Sequence, residues 1–295
     1  MLIKNNKHKN SLAVTFLISF ANTNISLNQG KEKMENLTRI LLLVCFAVLS
    51  GKRWKVFVHI RPRAHYFWFV IPVSCHPEGS DLTGSVFTFP TLGRVDHVTL
   101  TPAGRKPLSQ ASLCLRFYTD QTTQSPCFFS LATATFTNAF LLCRMEGGFF
   151  RIHVGTASAD FTGFTYNLNG WNSVCVTWDE EDVSQFFING QASVRKLTLM
   201  RQGWKIPTDH LIIVGQDQDR YGGGFQTKNA FIGHLTDVHM WDHVISPCAV
   251  QQFMDELSIQ PGNYLNWQSL KFETHGRAKV EKKQLLLTGK QLLNC

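Results

Sequence analysis

The sequence predicts an all-β fold, a two-sheet sandwich carrying one short α-helix. Three observations point there. Apolar and polar residues alternate in short segments separated by polar turns, as half-buried strands require. Phenylalanine occurs 23 times, and aromatic side chains suit pleated, half-buried positions. One segment, Ser246–Leu257, stands out with helical rather than alternating spacing.

The chain has 295 residues, 44% of them apolar and 17% charged, which argues against a disordered protein. The formal charge of +8 is unevenly placed: residues 1–77 hold eleven of the 29 basic residues and only Glu32 and Glu35 of the 21 acidic ones. The remainder is close to neutral, so a nucleic-acid partner is not expected. None of the eight cysteines (45, 75, 114, 127, 143, 175, 248 and 295) forms a Cys-x-x-Cys pair, which removes a zinc ribbon or thioredoxin site.

From the N-terminus, residues 1–51 read as a leader. Two apolar runs are candidate signal-peptide cores, Ser11–Phe20 behind Lys4, Lys7 and Lys9, and Ile40–Leu49 behind Met34 and Arg39. The second fits better, because Ser50-Gly51 follow it as small residues near a cleavage point, with Met34 as the start. Both fall well short of the roughly 20 apolar residues that span a bilayer. Residues 52–77 are basic and aromatic. We read them as translated intron, since Gly51-Lys52 suits a splice donor and the aromatic run before Pro77-Glu78 suits a pyrimidine tract. Transcripts that never join Gly51 to the Glu78 region would refute this. An oxidising, extracellular destination is the expectation.

Residues 78–295 read as one domain. Ser85–Phe89 alternates up to Pro90. Ser112–Tyr118 sets Leu113, Leu115 and Phe117 against Cys114 and Arg116. Phe149–Val154 and Ser173–Trp178 behave likewise, and Asn189-Gly190 after Phe186-Phe187-Ile188 is a hairpin signal. Leu211–Val214 is a short apolar run before Gly215, and Phe231–Trp241 is a further strand stretch. Ser246 suits an N-cap and Pro247 the first helical position, with Val250, Phe253, Met254 and Leu257 as the buried stripe of a helix near 247–257.

Ser173-Val174-Cys175-Val176-Thr177-Trp178-Asp179-Glu180 matches the centre of the pentraxin signature, His-x-Cys-x-Ser/Thr-Trp-x-Ser/Thr, and departs at its first and last positions. Cys114–Thr119, Gly215-Gln216-Asp217-Gln218-Asp219, Tyr221–Phe225, Met240-Trp241-Asp242 with Ser246-Pro247, and Leu265-Asn266-Trp267 follow in family order. Across nearly all of 78–275 the chain resembles the pentraxins. The resemblance implies a jelly-roll with concanavalin A-like lectin topology and a Cys114–Cys175 disulfide. It also implies a secreted, flat homopentamer, and an innate-immune, acute-phase role with complement components as further partners. Cys127, Cys143, Cys248 and Cys295 match no family pairing, and Cys295 is a candidate for a link between subunits.

The resemblance also implies a calcium site. Asn138, Asp217, the Gln218 carbonyl and Asp219 align with ligands of the first ion, Gln226 and Asn229 with those of a second. Calcium takes six to eight oxygens, preferably including carboxylates. Four family carboxylates become two here, because Thr137 and Gln226 replace acidic residues. One calcium ion is therefore expected, bound more weakly than in the family, with the second site weaker still. The family's choline pocket uses a phenylalanine and a glutamate whose positions fall on Cys143 and Ser158, leaving Phe140 as a candidate substitute. Phosphorylated or anionic surface groups, phosphocholine-like or polysaccharide, remain the expected ligands.

No catalytic motif competes with this reading: Gly-x-Ser-x-Gly, P-loop and His-Glu-x-x-His patterns are missing from the sequence. Glu180, Glu181 and Asp182 read as a solvated turn rather than a glycosidase pair, and His234, His239 and His243 as exposed residues around a strand end. A calcium-binding laminin-G-like adhesion module is the alternative binding reading.

Overall fold

The computed structural model describes residues 47–50, 53–60, 67–73, 79–198 and 203–284. It separates into two compact units, Met1–Cys75 and His76–Cys295. In the first, β1 (Ala47–Ser50), β2 (Arg53–Ile60) and β3 (Phe67–Val73) pair antiparallel in the order β1-β2-β3. The rest of the leader, including its start and most of both candidate signal cores, lies outside the described residues. No helix among the described residues is long and apolar enough to cross a membrane.

In the second unit the strands run β4 (Ser85–Phe89), β5 (His97–Thr101), β6 (Ala111–Tyr118), β7 (Cys127–Thr133), β8 (Phe140–Arg144), β9 (Phe150–Val154), β10 (Ala157–Phe161), β11 (Trp171–Trp178) and β12 (Val183–Ile188). They continue with β13 (Gln191–Ala192), β14 (Lys196–Leu197), β15 (His210–Val214), β16 (Gly233–Trp241), β17 (Lys271–His275) and β18 (Lys279–Lys282). One antiparallel sheet of seven strands has the order β10-β9-β8-β7-β15-β5-β17; the other has β13-β12-β11-β6-β16-β4-β18, with β14 beside β12 as its eighth strand. This is the expected all-β sandwich with lectin-like topology.

Strand alternation sets what each face carries. Leu113, Leu115, Phe117, Val174, Val176 and Trp178 from one sheet meet Phe129, Leu131, Phe140, Leu142, Ile152 and Ile212 from the other in a single buried core. Burying each such side chain contributes roughly 1.5–3 kcal/mol. The hairpin at Asn189-Gly190 has positive φ at both residues, 48° and 82°, as a type I′ turn needs.

The helix α1 spans Pro247–Met254. Ser246 caps it by accepting from the Ala249 backbone N–H at 3.2 Å, and Pro247 opens the first turn. It stops a turn earlier than the spacing predicts. Asp255 is the C-cap, Glu256 takes a left-handed φ of 56°, and Leu257 is left 58% exposed. Val250 and Phe253 pack with Trp241, Ile245 and the Cys114–Cys175 disulfide on the outer face of the larger sheet. That disulfide joins directly paired positions on β6 and β11, as the family resemblance implies. A second, Cys127–Cys143, joins paired positions on β7 and β8 and resolves two cysteines that had no assigned partner. Cys248 is an exposed free thiol, while Cys295 lies outside the described residues.

His239 corrects an expectation. It is 6% exposed rather than on the surface, accepting from the Gly262 backbone N–H at 3.2 Å, and burial pushes its pKa down to about 4. His234 instead meets Thr88, and His243 meets Asp242, so the three rings do not converge.

Candidate functional site

The outer face of the seven-stranded sheet positions the site. Antiparallel register places Ser158, His153, Leu141, Ser130, Ile213, Thr99 and Glu273 in one row across it. The chain leaves β15 at Gly215 and folds back over this face. Gly215 has φ +88°, and a Cβ there would lie 2.3 Å from the Phe89 ring, so only glycine makes the exit. The loop is closed at its base, where the Phe231 N–H donates to the Gly215 carbonyl at 3.1 Å.

Glutamine and asparagine amides staple the loop down. Gln216 Nε2 donates to the carbonyls of Gly93 (3.0 Å) and Asp96 (3.3 Å). Gln218, wholly buried, donates from Nε2 to the carbonyls of Ser130 (2.9 Å) and Leu211 (3.1 Å), while its Oε1 accepts from the Gly222 N–H. Its side chain is thus committed to the fold, which leaves the backbone carbonyl as the group Gln218 can offer a ligand. Gly224, at φ +78°, lets the loop return against Asp219 and Arg220, where a Cβ would approach within 2.9 Å.

Between the staples stand the two acids. Asp217 is 9% exposed, and its Oδ1 is buried with no hydrogen-bond partner. Burial first, then the charge of Asp219, pushes its pKa up to about 6, against the pull of Lys228 and the Gln218 N–H. Asp219 is exposed, and its Oδ2 accepts from Gln226 Nε2. Asn229 is 8% exposed and donates to the Ser125 carbonyl at 3.2 Å and toward Cys127 Sγ. Asn138 stands, half-buried, on the turn between β7 and β8.

A buried carboxylate oxygen without a partner, raised in pKa and two residues from an exposed acid, is the donor chemistry a hard cation such as calcium takes. Among the described residues no group of three or more His, Cys, Asp or Glu gathers around it.

The candidate ligand pocket is only partly assembled. Ser158 is exposed on β10 opposite His153. Cys143 shares that outer face but is 2% exposed and bridged to Cys127, so it presents no thiol. Phe140 points the other way. It is fully buried between the sheets, with its ring 6.2 Å from Phe129 at 81°, and it cannot face a surface ligand. Ser130 and Gln216, which hold the loop, carried no sequence signal, since a lone serine on a strand and a loop glutamine have many bland uses.

Residues 85–282 match the model of the Pentaxin family. The chain is 33% identical to mouse (Mus musculus) serum amyloid P-component over 198 residues, covering 67% of this chain and 86% of that one. It is 34% identical to mouse mucosal pentraxin over 205 residues, covering 69% and 90%. Among solved structures it resembles the native heptameric SAP-like pentraxin from Limulus polyphemus, with a TM-score of 0.60 and 20% identity over 68% of this chain and 95% of that one.

Proposed function

The chain belongs to the pentraxin family, and from that premise we propose that it is a secreted, calcium-dependent pattern-recognition protein. Its ligands are phosphorylated or anionic groups on microbial or damaged-cell surfaces. The observation that carries this reading is the buried, partnerless Oδ1 of Asp217 beside the exposed Asp219. The ligand set proposed for one ion is Asp217 and Asp219 as carboxylates, the Gln218 carbonyl between them, and Asn138 from the turn between β7 and β8. Calcium, when bound, supplies a coordination position open to a phosphate or other anionic oxygen.

A second ion has less to hold it. Gln226 faces Asp219 with its amide nitrogen, and Asn229 turns its amide nitrogen to Ser125 and Cys127. Choline selectivity loses both supports, because Cys143 is in a disulfide and Ser158 carries no charge. The protein's own contribution is a rigid loop and repetition. Weak single sites on one face of a ring act together on a ligand-bearing surface. The assembly proposed is a cyclic homopentamer; the Limulus relative is heptameric. Family membership takes the ground from the laminin-G-like alternative, and the role is recognition, not catalysis.

Retention on phosphoethanolamine- and phosphocholine-bearing beads, with calcium and with chelator, tests the reading. Calcium-dependent retention on phosphoethanolamine with little preference for choline supports it. Retention that survives chelator contradicts it.

A further inference from the structure

His97 and His275 stand directly opposite each other on β5 and β17. Their rings are stacked, 4.3 Å apart and 8° from parallel. Phe225, from the loop that carries Asp217 and Asp219, packs against the His97 ring, with centroids 4.7 Å apart and planes tilted by 52°. The same loop is fastened just before His97, where Gln216 donates to the Gly93 and Asp96 carbonyls. The His pair is therefore the floor on which one side of the loop rests.

We propose that the stacked His97–His275 pair is an acid-operated latch that releases the 216–229 loop when His97 becomes charged. As regulation of a calcium site it rests on the reading above; as a property of the loop it does not. A charged His97 ring held between His275 and Phe225 regains the hydration that burial removes by leaving the stack. Each ring also has one nitrogen tied down: His97 Nδ1 meets the Val95 carbonyl at 2.6 Å, and His275 Nε2 meets Thr99 Oγ1 at 3.2 Å.

The charges facing the pair are few. Asp96 precedes His97, but its carboxylate already accepts from Thr91 Oγ1 and the Arg277 N–H, each at 2.7 Å. Glu273, exposed on β17, opposes Thr99 two register positions away. Burial, the leading cause, and the neighbouring His275 lower the His97 pKa, against the Val95 carbonyl, Asp96 and Glu273. A histidine with a depressed pKa in the closed state favours closure above its ordinary value, about 6.5. That contribution is lost as pH falls below it.

Hydrogen exchange of 216–229 in the full chain, in chelator, from pH 7.5 to 5.5, tests the latch. After correction for the intrinsic chemical rate, exchange in the wild type should rise by up to about tenfold per pH unit below about 6.5. In His275→Gln, with no ring stacked on His97, exchange should stay flat. His97→Gln is the second variant and should behave alike. A flat wild-type profile, or a rise that persists in both variants, overturns the latch. A calcium arm at pH 7.5 reads the other premise: if calcium fails to slow exchange in wild type and variants alike, the calcium reading falls while the pH result stands.

Discussion

Gln218 closes onto Ser130 through three hydrogen bonds: its backbone N–H to Oγ at 3.2 Å, and its Nε2 to the carbonyl at 2.9 Å and to Oγ at 3.3 Å. One glutamine on the loop and one serine on β7 thus fix where Asp217 and Asp219 stand. Gln218→Ala leaves buried carbonyls and the Gly222 N–H unpaired and should destabilise by about 2–4 kcal/mol. Denaturant unfolding of metal-free protein measures this. Calcium affinity should fall as well, since the loop must be ordered on binding.

Asp217→Asn should act in opposite directions with and without calcium. A carboxyl whose folded pKa is raised from 3.8 to about 6 contributes stability that is present at low pH and lost as pH rises through that interval. At pH 7 the metal-free wild type therefore carries a buried charge that the amide removes, for a gain on the order of 1–3 kcal/mol. Calcium should then add little to the melting temperature of the variant. Paired melting curves in chelator and in calcium check both halves.

Calcium binding should weaken in acid through the same group. A proton competes for Asp217 once pH falls below about 6, and affinity should drop by up to about tenfold per pH unit there. Between pH 8 and 7 it should hardly change. Titrations at matched ionic strength read the profile.

The Cys127–Cys143 bridge closes a separation of 16 residues and lies beside Asn229, which reaches toward Cys127 Sγ. Changing both cysteines to serine should destabilise by about 3 kcal/mol on the chain-entropy view. Peptide mapping without reductant should recover Cys127 joined to Cys143, and Cys114 joined to Cys175.

The sandwich was legible because β11 announces itself: Val174, Val176 and Trp178 alternate with Cys175, and the strand is central enough to be buried almost throughout. The loop acids were legible through their order after β15. What escaped was set by partners distant in sequence. Cys127 pairs with Cys143 across a ladder whose register shifts between Cys127 and Phe129, and no spacing rule marks that. Gln218 read as a carbonyl donor, while the work of its amide depended on Ser130, 88 residues away. Phe140 was misplaced by a readable rule. It and Cys143 are an odd number of residues apart on one strand, so they cannot share a face. Leu257 extended the helical stripe on paper, but the left-handed Glu256 ends it.

Calcium titration into the wild type and into the Asp217→Ala, Asp219→Ala double variant, followed by calorimetry, tests the central claim most directly. The account predicts saturable binding to the wild type with about one ion per chain and proton release near pH 6. The double variant should bind none while still folding, with a cooperative melting transition in chelator that is not lowered, because the buried Asp217 charge is gone. Undiminished calcium binding by the folded double variant would contradict the account and place the ion elsewhere.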